Sequence, residues 1–295
     1  MSLFTDFLVQ RFPHRYARHL GELLAAFENS GLASPNFATD VTCSDGDDFL
    51  ARVWEAMLYR YLLNLGFEPH VAGVKKSGQV GPDFGIKHQG QTIWIEAVTP
   101  SPTGIPPEYL APPRKGEVKV KTKPDEQMLL RWTSVLKDKR DKLACYIKQN
   151  IIAASDCTII AVNSCRLQDY ASDDLGISQL PFAVEAVFPI GPIAVPITPG
   201  GQPDGEPIRV PRHTIPKPNG PIPTGNFLDP DYASVSAIMG CCRKDMLNGG
   251  LPLTLVHNPL ATTRLPTAIL GANKEYVADD KGDHYVLRLL GGTSD

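Results

Sequence analysis

From residue 83 to residue 98 the chain reads DFGIKHQGQTIWIEAV, two short apolar runs on either side of His88-Gln89-Gly90-Gln91. Runs of this length around a polar, glycine-containing turn predict a β-hairpin, with strands at Asp83 to Lys87 and Thr92 to Val98. The second run constrains the fold most, because Glu96 sits among Ile95, Ala97 and Val98. An ionised carboxylate in a buried strand is costly unless paired; at a sheet edge the same side chain could face solvent. The turn brings Asp83 to the same end of the hairpin as Glu96. If their parities agree, both point into one pocket, and a cation or a raised pKa must relieve their repulsion. Mg2+ is the natural relief, with Mn2+ as a substitute, since such an ion is usually held by one or two carboxylates plus waters and phosphate oxygens. The Ala97 carbonyl, pointing the other way, could add an oxygen ligand.

The rest of the chain supplies the layers for such a hairpin. Apolar groups at helical spacing run from Leu3 to Asn29, ending at Ser30-Gly31, and predict an accessory helix or helix pair. A second stripe, from Phe49 to Leu65, predicts a helix capped at Ser44 or Asp45 and closed near Gly66. A short strand is expected from Glu68 to Ala72, a helix from Asp125 to Ile152 and a β-branched strand from Cys157 to Val162. Between Thr99 and Pro124 lies a long Pro-, Gly- and Lys-rich loop of a length that suggests a role. Helix, strands, helix and strand in that order predict an α/β core with helices covering a mixed sheet. Prolines then recur every few residues from Pro181 to Pro230, which predicts edge strands and extended loop. Strands return at Ser234 to Met239, Leu253 to His257 and Tyr285 to Leu289. The expected organisation is therefore accessory helices over 1–43, a core over 44–180, and a proline-rich, mainly β extension over 181–295, packed on or beside the core.

Composition narrows the partners. A formal charge of −3 gives no global basic field, so any nucleic-acid contact has to come from a local patch. The six cysteines show no CxxC spacing and read as reduced thiols of an intracellular protein. The N-terminal stretch does not read as a signal peptide, and no apolar run approaches the ~20 residues of a membrane span. A cytoplasmic location is the default.

Glu55 in RVWEAMLYRYLLNLGF, then Gly81-Pro82-Asp83-Phe84, then Ile95-Glu96-Ala97-Val98, resembles the PD-(D/E)XK nuclease superfamily, the restriction-endonuclease-like fold. The resemblance covers about residues 44 to 162. It implies a metal-dependent hydrolase of phosphodiester bonds, with Asp83 and Glu96 as the hairpin acids and Glu55 completing the metal site. Nucleic acid is the implied partner, DNA ahead of RNA. The family's lysine two residues past the glutamate is Val98 here. Its amine is sought on the next helix, where Val135, Lys139, Lys142 and Tyr146 share one face. Lys139 is the first candidate for the migrated cation and Lys142 the second. Arg131 is a candidate for phosphate, as are Lys115, Lys119 and Lys121 in the loop after Glu96. The alternative function is a catalytically inactive module of the same fold, binding nucleic acid or a protein partner. The C-terminal part could also serve a homodimer.

Plainer readings stand beside these. Gly-Pro-Asp is a common turn, and a Glu beside Trp54 on a long helix is most often on the surface. The lysines of the long helix are balanced by Asp138 and Asp141 and also read as its solvated side. Those of the loop read equally as an ordinary flexible segment or a backbone clamp. Cys241-Cys242 reads as structural, and His257 as a hydrogen-bonded strand histidine, with the same caution for His213 and His284.

Overall fold

The computed structural model describes residues 3–43, 47–72, 81–114, 116–168, 174–247 and 250–291. The first stripe is broken into α1 (Leu3–Val9) and α2 (His14–Asn29). Pro13 stands at the cap position of α2, since a proline starts a helix readily but removes a donor from its interior. α3 (Phe37–Cys43), absent from the sequence reading, precedes α4 (Asp47–Asn64); Ser44 and Asp45, the expected caps of α4, lie outside the described residues. α4 closes as foreseen at Gly66, whose φ of 83° is the left-handed conformation glycine adopts most readily. The Gly66 and Phe67 amides then donate to the carbonyls of Leu63 and Leu62, capping the last turn.

The strand expected from Glu68 to Ala72 reduces to one bridge, His70 with Gly85. The hairpin forms from β1 (Phe84–His88) and β2 (Gln91–Val98), with a two-residue turn. Gln89 and Gly90 have φ of 50° and 82°, the pair of positive values that matches the twist of a tight hairpin. α5 (Pro107–Leu110) interrupts the long loop, and α6 (Asp125–Lys148) and β3 (Cys157–Asn163) follow. α7 (Phe182–Glu185) leads into the proline-rich stretch. That stretch forms two small ribbons, β4 (Ile190–Ala194) with β5 (Ile208–Pro211) and β6 (Thr214–Ile215) with β7 (Ile222–Pro223). The tail supplies β8 (Ala237–Cys241), β9 (Thr254–His257), β10 (Lys274–Asp280) and β11 (Tyr285–Leu290).

One seven-stranded mixed sheet runs β1-β2-β3-β8-β9-β10-β11. Four of its strands come from the stretch expected as an extension, so the boundary at residue 180 falls within a single sheet rather than between a core and a part lying beside it. β3 is buried at all seven positions, which explains its unbroken apolar sequence: it pairs parallel with β2 and β8 and is covered on both faces. α1 to α4 pack on the face carrying Ile93, Ile95 and Ala97. α6 and α7 pack on the face carrying Trp94, Ile160 and Val162. Trp54 ties the first layer to the sheet by donating its indole N–H to the Ala161 carbonyl at 3.0 Å. Gly240 allows the second layer to close in, because a Cβ there would lie 2.8 Å from that of Ala183 and 3.2 Å from the Trp132 ring.

Candidate active site

The hairpin register pairs Phe84 with Ile95, and Asp83 is the bend residue just before β1, close enough to Glu96 for its charge to act on that carboxyl. Alternation along β2 puts Ile95 and Ala97 against α4 and turns Trp94, Glu96 and Val98 toward α6. The Glu96 side chain is completely buried. Its Oε1 accepts from the Lys139 ammonium at 2.7 Å and from the Lys142 ammonium at 2.6 Å, while its buried Oε2 takes no hydrogen bond. The Asp83 Oδ2 accepts from the Ala97 amide at 2.7 Å, fixing the aspartate at the mouth of the hairpin.

Electrostatics follow from this crowding. Burial holds the Glu96 carboxyl above its ordinary pKa, Asp83 pushes it further up, and Lys139 and Lys142 only partly offset both. For Lys142, burial alone would lower the pKa; the Glu96 carboxylate outweighs that and leaves it raised. The Lys142 ammonium also lies 5.6 Å from the centre of the Tyr146 ring, a cation–π contact that steadies it on the helix face shared by Lys139, Lys142 and Tyr146. Val98, where the superfamily pattern has lysine, is a partly buried side chain packed in the α6 layer. Thus the ammoniums beside Glu96 come from a helix 41 to 44 residues further along the chain than Val98 (139 − 98 and 142 − 98).

The other expected site residues are placed differently. Glu55 lies on α4, against the opposite face of the sheet, and its carboxylate is paired at 2.5 Å with Arg52, which also binds Asp40 at 3.1 Å. Arg52 escaped the sequence reading, although an Arg three residues before a Glu on a helix is a recognisable ion-pair spacing. Burial would lower its pKa, but Glu55, Asp40 and then Asp83 raise it. Arg131 donates to the Ser101 carbonyl at 2.9 Å and so pins the loop that leaves β2. Lys119 donates to the Glu108 carbonyl, and Lys121 to those of Tyr109 and Ala111, so both close the end of α5. Lys115 lies outside the described residues. For Ala97 the contact on display is its amide, not its carbonyl.

Among the described residues no three His, Cys, Asp or Glu side chains are grouped so as to hold a metal ion. Asp83 and Glu96 nevertheless fit Mg2+, which commonly takes only one or two carboxylates and keeps several waters. The buried Oε2 of Glu96, an acceptor with no donor, is the observation that favours a missing partner there. Fold and site together define a mixed α/β protein with an acidic pair on its hairpin and two lysines closing over the buried member. No family model, no curated protein and no solved structure matches the chain. No described helix is long and apolar enough to cross a membrane.

Proposed function

We propose that this chain is a metal-dependent nuclease with a restriction-endonuclease-like core, hydrolysing phosphodiester bonds of nucleic acid, DNA before RNA. The supporting observation is one piece of geometry: the Asp83 carboxylate on the amide of Ala97, next to Glu96, with Lys139 and Lys142 both on the Glu96 carboxylate. Mg2+ or Mn2+, when bound by Asp83 and Glu96, supplies a bound water of lowered pKa and neutralises charge on the phosphate. Lys139, with a side chain only 19% exposed, acts as the inner ammonium and orients the attacking water. Lys142, 44% exposed, stands nearer solvent and takes a phosphate oxygen, stabilising the charge that develops there. Glu55 is left out of this mechanism because Arg52 holds its carboxylate. That same pairing favours the second reading, an inactive binding module in which the lysines and Glu96 merely fasten α6 to β2.

A cleavage assay on single- and double-stranded DNA and RNA, with Mg2+ and with Mn2+, separates the two. Cleavage that disappears in Asp83→Ala and in Glu96→Ala supports the nuclease. A purified protein that cuts nothing with either ion, or whose variants cut as the parent does, refutes it.

A further inference from the structure

We infer that the protein has a second, ligand-binding site, a cavity beside β9, β10 and β11 that takes a small organic anion. β9 is three strands from β2 in the sheet order, about 14 Å at the usual strand spacing, so this cavity is separate from the Asp83/Glu96 site. Its volume is about 320 Å³, at the small end of the range for small-molecule pockets.

Most polar groups lining the cavity are already committed. The Ser236 hydroxyl donates to the Thr263 carbonyl and accepts from the Thr158 amide. Asn258 donates to the carbonyls of Tyr232 and Val235 and accepts from the Leu260 amide. The cations are held at the cavity rim: Arg264 makes one long contact, 3.4 Å to the Pro259 carbonyl, and Arg288 pairs with Asp279 through two contacts at 3.3 and 3.4 Å. The cavity also holds a fixed imidazole: His257 is 9% exposed, and its Nε2 lies 2.6 Å from Oε1 of the buried Glu275. The Ala268 amide donates to the same carboxylate, so Glu275 cannot swing away without losing two partners. Nε2 donates to that carboxylate, which leaves Nδ1 of the neutral ring an acceptor, so the imidazole shapes the cavity wall and does not itself hold an anion.

What remains to greet a ligand is two guanidiniums and an apolar wall of Leu265, Val277 and Leu290. Asp279 offsets part of that charge by a two-point contact with Arg288, a pair open enough to solvent that it is worth little on its own. Guanidinium is the side chain that best matches the planar oxygens of carboxylate or phosphate. The ligand therefore has a carboxylate or phosphate head held by Arg264 and Arg288 and a short apolar body.

The test is calorimetric titration of the full chain in magnesium-free buffer with chelator, using hexanoate, glycerol 1-phosphate and hexan-1-ol as probes. At least one anion binds and hexan-1-ol does not; the tighter anion identifies the head group. Arg264→Ala and Arg288→Ala, both at exposed side chains, each weaken binding about tenfold or more without lowering the melting temperature. Lys142→Met, which removes a cation from the Asp83/Glu96 site, leaves binding unchanged, which keeps this result independent of the nuclease assignment. The inference is overturned if neither anion binds up to roughly 10 mM, if hexan-1-ol binds as well as hexanoate, or if both arginine variants bind like the parent.

Discussion

Replacing both lysines over Glu96 by methionine, Lys139→Met with Lys142→Met, leaves a completely buried carboxylate with no counter-charge. Removing one side of a buried ion pair costs about 3–5 kcal/mol, mostly the penalty of the charge left behind. Because Lys142 is 44% exposed, part of its interaction is screened by solvent, which places the pair near the lower figure, about 3 kcal/mol. At roughly 2 °C or more per kcal/mol for a chain of this size, the melting temperature falls by about 6 °C or more at neutral pH. The converse change, Glu96→Gln, costs less, about 1 kcal/mol, since the amide oxygen still accepts from Lys139, Lys142 is open to water and the unfavourably buried charge is gone. Combining all three substitutions recovers most of the loss.

The pH dependence carries a definite sign. The Glu96 carboxyl in the folded chain lies above its ordinary value of 4.5, so the folded state holds that proton more tightly than the unfolded chain does. Its contribution to stability is therefore fully present below 4.5 and is lost as pH rises through the folded pKa. Without Lys139 and Lys142 the folded pKa climbs further, so the gap between double variant and parent is small near pH ~5 and wide near pH ~8. Thermal melts followed by the fluorescence of the buried Trp54 and Trp132 measure this directly. A gap that does not change with pH, a double variant within about 1 kcal/mol of the parent, or an equal loss in Glu96→Gln would refute the reasoning.

One packing prediction and one charge prediction concern other parts of the fold. Gly240→Ala forces its new methyl group into Ala183 and Trp132 and lowers stability by about 1–3 kcal/mol, measured by urea melts; an unchanged midpoint means that α7 can shift away. Glu185 is buried with the Arg212 guanidinium at 2.5 Å and the Ser178 hydroxyl and amide on its other oxygen. Arg212→Met leaves that carboxylate unpaired and destabilises by about 3 kcal/mol, whereas Glu185→Gln with Arg212→Met restores most of it; equal losses in both would show that the charge is not what matters.

The local elements with a strong period or a turn signal were legible in the sequence: the α4 stripe, the hairpin, whose four-residue connection tightens to Gln89-Gly90 because His88 and Gln91 pair, the long α6 and the apolar β3. Helical periodicity put Lys139 and Lys142 on one face of α6, but only the superfamily resemblance, with its missing lysine at Val98, pointed that face toward Glu96. β10 was not legible, since KEYVADD has only two large apolar residues, and it becomes a strand because β9 and β11 supply partners on both sides. His257 was read as a hydrogen-bonded strand histidine, but its partner Glu275 lies on that unread strand. The tertiary structure alone decided that residues 237 to 290 join the same sheet as the hairpin. It alone paired Glu55 with Arg52 instead of bringing it to Glu96, and spent Lys119 and Lys121 on the carbonyls of α5. The physical division is between short-range and long-range causes. Propensity, periodicity and turn chemistry act over a few residues and are written in the local sequence. Which distant carboxylate a cation finds depends on how whole layers stack, and no local pattern encodes that.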